Sequence, residues 1–169
     1  MSFHHQIWRT GLVRRFHTVA SAPEQNNAAH QWGVAIILLQ YHPSPSFNLI
    51  ASAITHDVAE YWTGDVRADA KWGHPELAAL IGDIEERKLD ELDLLYDLTE
   101  EDVWWLKCAD MLELSFYTRH RLNMGDRYFA IIFMRCLEWF KKHEADVPEP
   151  IWKAFWEEAD NVPTTEDLA

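Results

Sequence analysis

The sequence predicts an all-α helical bundle, and three observations carry that prediction. Apolar residues recur at helical rather than alternating spacing, helix-starting and helix-stopping residues punctuate the chain at regular intervals, and only six glycines and few β-branched runs are present. The 169 residues suffice for one domain with a sizeable core, so a single domain over 1–169 is expected.

A first helix is expected within residues 5–15. A second should run from about Pro23 to Tyr41, with Pro23 favourable in a first turn and Glu24 near the positive end of the dipole. Its core-facing stripe collects Asn27, His30, Val34, Ile37 and Tyr41. The segment from His42 to Ser46, with prolines at 43 and 45, breaks it, and Ser46 then caps a helix carrying Phe47 to Glu60. On that helix Ala53, His56 and Glu60 share a face, with Asp57 beside them.

Thr63, Gly64 and Asp65 form a turn, followed by a short element to Lys71. Gly73, His74 and Pro75 open a long helix through the acidic run Asp83–Arg87, read as a solvated face. Thr99 to Asp102 resembles a capping box, with Asp in place of the usual Glu, before a helix over Trp104–Arg121. Its expected core face is Val103, Leu106, Asp110, Leu114 and Tyr117. The Asn123–Asp126 segment ends it, a further helix spans about Arg127–His143, and Pro148 to Pro150 start a last one.

The net charge of −13 disfavours a generic nucleic-acid or anionic-membrane binder, which needs a basic footprint. It leaves open a small phosphorylated substrate, where a metal ion and a few placed cations dominate locally. Cys108 and Cys136 lie far apart and read as reduced, helix-embedded thiols. The start MSFHHQIWRTG lacks a signal-peptide core and no 18-residue apolar run exists, so neither export nor a membrane span is expected and the location should be cytoplasmic. Nine Trp and eight Phe exceed what one small bundle buries comfortably, which predicts a homo-oligomer.

The residues with chemistry stand inside these apolar stripes: His30, the adjacent pair His56 and Asp57, and Asp110. Carboxylates on a buried face are costly to desolvate, and a shared divalent cation relieves that cost at every position at once. Two imidazoles and two carboxylates suit Zn, Co, Mn or Fe rather than a thiolate site. Glu60, one turn after His56, is a candidate for proton transfer, and Asp65 in the following turn is a second candidate.

The order H…HD…D resembles that of the HD-domain metal phosphohydrolases, and more narrowly the bacterial 5′-deoxynucleotidases and phage DatZ-type dATP triphosphohydrolases. The likeness runs from about Arg15 to Tyr117. Ala53 to Glu60 resembles the family's HD helix, Thr63 to Val66 its TGD turn, and Leu106 to Asp110 the late helix that donates the last metal carboxylate. Arg15 and Phe16 stand where the family has Arg-Trp, and Lys71 resembles a lysine soon after the turn. Two departures are visible: Ala29 replaces the Glu common before the first metal His, and Phe16 replaces a Trp that faces the sugar.

The resemblance implies an HD-domain helical bundle holding one divalent transition metal per subunit (Zn, Co or Mn) through His30, His56, Asp57 and Asp110. It implies Arg15 and Lys71 as phosphate clamps, Phe16 against the sugar, and at least a dimer, with a ring-like hexamer as the larger form. The expected activity is hydrolysis of dATP, with dADP and dAMP, to deoxyadenosine; in a phage gene product the setting would be the host cytoplasm. The alternatives are a broad 5′-deoxynucleotidase acting on deoxynucleoside monophosphates and an HD module that binds nucleotides without hydrolysing them. Trp32 and Trp62 flank the candidate site in sequence, and core packing is the expectation for both over stacking on a base.

Overall fold

The computed structural model describes residues 7–19 and 25–159. Every regular element among them is helical, as expected. The one β pairing is an isolated antiparallel bridge between Arg14 and Asn26. The chain divides into two compact units, Met1–Gly33 with Ser46–Leu98, and Val34–Pro45 with Thr99–Ala169. None of the described helices is long and apolar enough to cross a membrane.

In the first unit a 3₁₀ turn, Trp8–Leu12, replaces the expected first helix. It is followed by the start of α1 (Asn27–Tyr41), then α2 (Phe47–Thr55), α3 (Glu60–Thr63), α4 (Ala68–Gly73) and α5 (Pro75–Glu91). The proposed helix-start signals at Pro23 and Glu24 lie outside the described residues. Instead the Asn26 side chain accepts from the Ala29 N–H at 3.0 Å, satisfying one of the orphan donors at the start of α1. The 3₁₀ turn reaches α1 closely: a Cβ on Gly11 would lie 2.8 Å from the Cβ of Ala28. Glycine is therefore required there by contact rather than by backbone angle.

The periodic face read for α1 is the buried one, with Asn27, His30 and Val34 at 0% exposure and Ile37 at 6%. Ser46 caps α2 as expected, its hydroxyl accepting from the Leu49 N–H. The helix does not continue to Glu60. After His56 the backbone bonds tighten from the i−4 to the i−3 carbonyl, as in Val58 N–H to Thr55 O and Glu60 N–H to Asp57 O. Pro75 opens α5 at its first turn.

In the second unit α6 (Glu100–Asn123) is followed by a 3₁₀ turn (Arg127–Phe129), α7 (Ala130–Lys142) and α8 (Glu149–Ala159). The capping box is complete: Thr99 Oγ1 accepts from the Asp102 N–H at 3.0 Å and the Thr99 N–H donates to Asp102 Oδ2 at 3.2 Å. At the other end Gly125 takes φ 87°, and Arg121 donates to Asp126 Oδ2 at 2.8 Å.

The core face expected for α6 is displaced. Val103 is 54% exposed, while Trp105, Cys108, Ala109, Met111, Leu112 and Ser115 are buried. The reason is that α6 packs against the 3₁₀ turn, α7 and α8 within its unit, so its buried stripe is wide and no single narrow periodicity describes it. Phe140 of α7 stacks on Phe155 of α8 with centroids 3.9 Å apart. Cys108 and Cys136 are free and buried, and burial pushes both thiols up to about 12, which leaves them unreactive.

Thr99→Ala removes the hydroxyl half of the capping box, leaving the backbone N–H of residue 99 on Asp102, and should cost about 1 kcal/mol. A urea midpoint identical to that of the parent chain would show that the hydroxyl contributes nothing.

Candidate metal centre

Three of the four ligand candidates converge within the first unit. His30, from the buried face of α1, brings Nε2 to 3.3 Å from Nε2 of His56. Asp57 reaches both rings, with Oδ2 3.5 Å from His30 Nε2 and Oδ1 3.5 Å from His56 Nε2. The other nitrogen of His56, Nδ1, lies 2.9 Å from the Ala53 carbonyl. A carbonyl can only accept, so Nδ1 carries the proton and Nε2 presents its lone pair to His30 and Asp57. With His56 Nε2 an acceptor, the two rings are joined either by a proton on His30 Nε2 or by a cation shared between two lone pairs and the carboxylate. This mixed nitrogen and oxygen set fits a divalent transition metal, and the fixed His56 tautomer is what such a ligand requires.

The backbone break after Thr55 builds this arrangement. The Gln31 side chain, buried on α1, spans it. With its amide oriented for both bonds, it donates to Ile54 O at 3.0 Å and accepts from the Asp57 N–H at 3.2 Å. Asn27, fully buried one turn earlier, donates from Nδ2 to Asp57 O at 3.1 Å and to Glu60 Oε2 at 2.8 Å. Two amides of α1 thus bind backbone groups of the interrupted segment: Gln31 takes Ile54 O and the Asp57 N–H, and Asn27 adds a second bond to Asp57 O, which also accepts from the Glu60 N–H.

Glu60 reaches the site by a different route from the expected one. It is not the continuation of the His56 helix but the first residue of α3, and it is 6% exposed. Burial pushes its carboxyl up to about 8, the Asp57 charge adds to the rise, and the Asn27 hydrogen bond opposes it. Asp65 follows Gly64, whose φ of 77° makes the turn, and its charge also acts on Glu60.

Arg15 donates from Nη1 to Asp57 Oδ2 at 2.9 Å, so a proposed phosphate clamp rests on a proposed metal ligand. It leaves the Arg14–Asn26 bridge, with its own N–H on Gln25 O at 2.9 Å. The next residue, Phe16, has φ 55°, a left-handed conformation that costs a bulky side chain about 1–3 kcal/mol. Its ring lies 5.8 Å from the Arg15 guanidinium. Arg67, next to α4, ties this turn down through the Thr18 hydroxyl at 3.2 Å.

Lys71 stands half-buried on α4, and its charge acts on Glu85 of α5. Glu85 belongs to the run read as solvated, yet it is half-buried and accepts from Thr63 Oγ1 at 3.2 Å. Burial raises its carboxyl above the ordinary range, with Lys71 and Thr63 opposing. Asp110 lies on α6 in the second unit, half-buried, accepting from Lys107 Nζ at 2.9 Å. Trp32 and Trp62 are not core residues: they are 66% and 40% exposed, and Lys88 Nζ sits 5.1 Å over the Trp62 ring.

Sequence reasoning passed over Asn27, Gln31 and Glu85 as site residues. Only Asn27 carried a signal, an amide on an otherwise apolar buried stripe.

A family model described as 5′-deoxynucleotidase YfbR-like matches residues 2–149. No curated protein matches the chain. Among solved structures, the HD phosphohydrolase DatZ of cyanophage S-2L, bound to dA and one catalytic Zn2+ ion, aligns with TM-score 0.72 at 19% identity, covering 95% of each chain. An HD-domain phosphohydrolase from Listeria innocua aligns with TM-score 0.71 at 16% identity, covering 98% of this chain and 90% of that one. These likenesses show the HD-domain helical fold.

His56→Ala should lower the metal retained after desalting, read by elemental analysis; metal content equal to that of the parent would remove His56 from the ligand set. The raised Glu60 carboxyl predicts a pH dependence in metal-stripped protein. Below about 4.5 the folded and unfolded chains both hold the proton. Between about 4.5 and about 8 only the folded chain holds it, so stability falls as pH rises through that window. Glu60→Gln should flatten that slope in thermal melts with EDTA, and an unchanged slope would contradict the assignment.

Proposed function

The chain belongs to the YfbR-like 5′-deoxynucleotidase family, and from that premise we propose that it strips deoxyadenosine nucleotides, dATP foremost, of their phosphates to release deoxyadenosine. At the coarser level it is an HD-type, metal-dependent hydrolase of deoxynucleotides. The observation that carries the proposal is the meeting of His30, His56 and Asp57 at 3.3–3.5 Å with Arg15 on the same carboxylate, an arrangement that suits a metal's donor set beside a phosphate-binding cation. The adenine preference rests on the fold shared with DatZ, which binds dA. A broad deoxynucleoside monophosphatase is the competing reading, and the family description favours it.

In this reading His30, His56, Asp57 and Asp110 hold one divalent ion, with zinc first because the DatZ structure contains it, and cobalt or manganese as the other choices. A bound divalent ion supplies Lewis acidity, polarising a phosphoryl oxygen and acidifying water. Arg15 grips the phosphate bidentately and Lys71 as a point charge. Glu60 carries the proton between water and the leaving 5′-oxygen, with Asp65 orienting that exchange. Phe16, held in its left-handed turn beside Arg15, packs where the sugar C2′ lies and leaves a hydroxyl neither room nor a partner.

The wider reading is one domain acting as a homo-oligomer, dimer or hexamer, in the cytoplasm. The family match runs through both units without interruption, and exposed apolar side chains such as Tyr128, Ile131 and Met134 in the second unit suit a subunit contact. Light scattering at micromolar concentration tests it, and a monomeric mass would overturn it.

The decisive experiment offers the purified chain dATP, dAMP, the other deoxynucleotides and their ribose counterparts with Zn, Co and Mn, and reads products by chromatography. Release of deoxyadenosine from dATP well ahead of the monophosphates supports the proposal. Turnover of all monophosphates with dATP untouched selects the broad nucleotidase, and no turnover of any of them leaves a binding module. Glu60→Ala should keep its metal and lower kcat by about 10²–10⁴-fold; an unchanged kcat would return Glu60 to a structural role.

Deoxyribose should be preferred over ribose by about tenfold or more in kcat/KM, because burying an unpaired hydroxyl costs on the order of 1–3 kcal/mol. Phe16→Ala should relax that preference without loss of metal. Equal hydrolysis of ATP and dATP by the parent chain would overturn the role given to Phe16.

A further inference from the structure

We propose that Asn27 is a positioning residue for Glu60, pinning Oε2 and the Asp57 carbonyl with one amide so that Oε1 is the oxygen left to exchange the proton. This rests on the reading of Glu60 as the proton carrier and adds to it the device that aims it.

Asn27 occupies the core stripe of α1 together with His30, Val34 and Ile37, at 0% exposure. An aliphatic side chain would serve packing there at no polar cost, whereas a buried amide is destabilising unless its hydrogens find acceptors. Both hydrogens of Nδ2 find them, Asp57 O at 3.1 Å and Glu60 Oε2 at 2.8 Å. The amide stands on a fixed base. Its own N–H donates to Val13 O at 3.0 Å, and the neighbouring Asn26 is bridged to Arg14.

Glu60 stands on a lighter base, with its own backbone N–H on Asp57 O at 3.1 Å. It begins a helix of four residues, too short to order itself, and its side chain has three rotatable bonds. A carboxylate so mounted would sample several directions. One short hydrogen bond to Oε2 selects one of them, and the second bond of the same amide fixes that direction relative to the backbone of the ligand Asp57. A metal ligand and a proton carrier three residues apart are thereby set at one spacing by a residue from another helix.

The test uses the metal-loaded full-length chain and the doubly substituted protein. Asn27→Val keeps the shape of the stripe and removes the amide. It should retain metal and leave KM unchanged while kcat falls by about 10²-fold, the scale of a small misplacement of a reacting group. In a Glu60→Gln background the same substitution should cause no further loss, because the group it positions no longer carries a proton. Asn27→Ser, whose hydroxyl cannot reach both acceptors, should repeat the result as a second variant. Equal losses in both backgrounds, or loss of metal alongside activity, would reduce Asn27 to a packing or ligand-supporting role. Failure of both variants to fold would overturn the proposal as well, since a residue that only orients Glu60 is dispensable for folding. Full activity of Glu60→Gln alone would instead overturn the reading of Glu60; a defective Glu60→Gln beside an unimpaired Asn27→Val would overturn only the inference about Asn27.

Discussion

The constraint on which the candidate site depends is that helix α2 stops before His56 and Asp57, its two candidate ligands. Neighbouring residues on an uninterrupted helix project about 100° apart and do not face a common point. His56 and Asp57 nevertheless both reach His30, at the point where the backbone leaves α-helical bonding just beyond Thr55. At the break the Gln31 amide binds Ile54 O and the Asp57 N–H, and the Asn27 amide adds a second bond to Asp57 O. Helix α1 therefore contributes more than a ligand. Its buried face supplies an imidazole and two amides that hold the opposing segment in its broken form.

What could be read from the chain alone follows from which forces are local. The α1 stripe and the capping box at Thr99 depend on spacing within a few residues, and both are found where that spacing puts them. The candidate metal donors drew notice because charged or ionisable groups stand out on an apolar stripe. The break at His56 was not legible: no Gly or Pro lies between Ser52 and Tyr61, and the interruption is held by hydrogen bonds from a distant helix. Gln31 went unassigned for the same reason, as an uncharged amide beside the stripe produces no anomaly until its acceptors are known; Asn27 stood on the stripe, but its acceptors come from a distant segment. The α6 face was misplaced because a helix packed on several sides has no single narrow buried stripe. Glu85 was hidden in an acidic run whose other charged members, Asp83, Glu86 and Arg87, are exposed.

The electrostatics of the first unit reconcile an acidic chain with an anionic substrate. Each cation proposed to grip phosphate sits near a carboxylate of the protein: Arg15 is bonded to Asp57, and Lys71 acts on Glu85. Holding the cations this way keeps long, flexible side chains oriented at the cost of part of their attraction for a ligand. A cation lodged among His30, His56 and Asp57 would draw Asp57 toward itself and loosen its hold on Arg15. Metal occupancy and phosphate affinity are then linked through a single carboxylate.

The contact between Gly11 and Ala28 carries a consequence for how this sequence can drift. Ala28 lies two positions before His30 on the same helix, and no β-carbon fits at Gly11 without moving it. A side chain gained at Gly11 would shift the start of α1, and with it the amides of Asn27 and Gln31 and the imidazole of His30. The two positions therefore behave as one inherited unit. Descendants of this chain can enlarge position 11 only after position 28 shrinks, and a lineage that acquires glycine at position 28 first gains a permissive background in which a β-carbon fits at position 11.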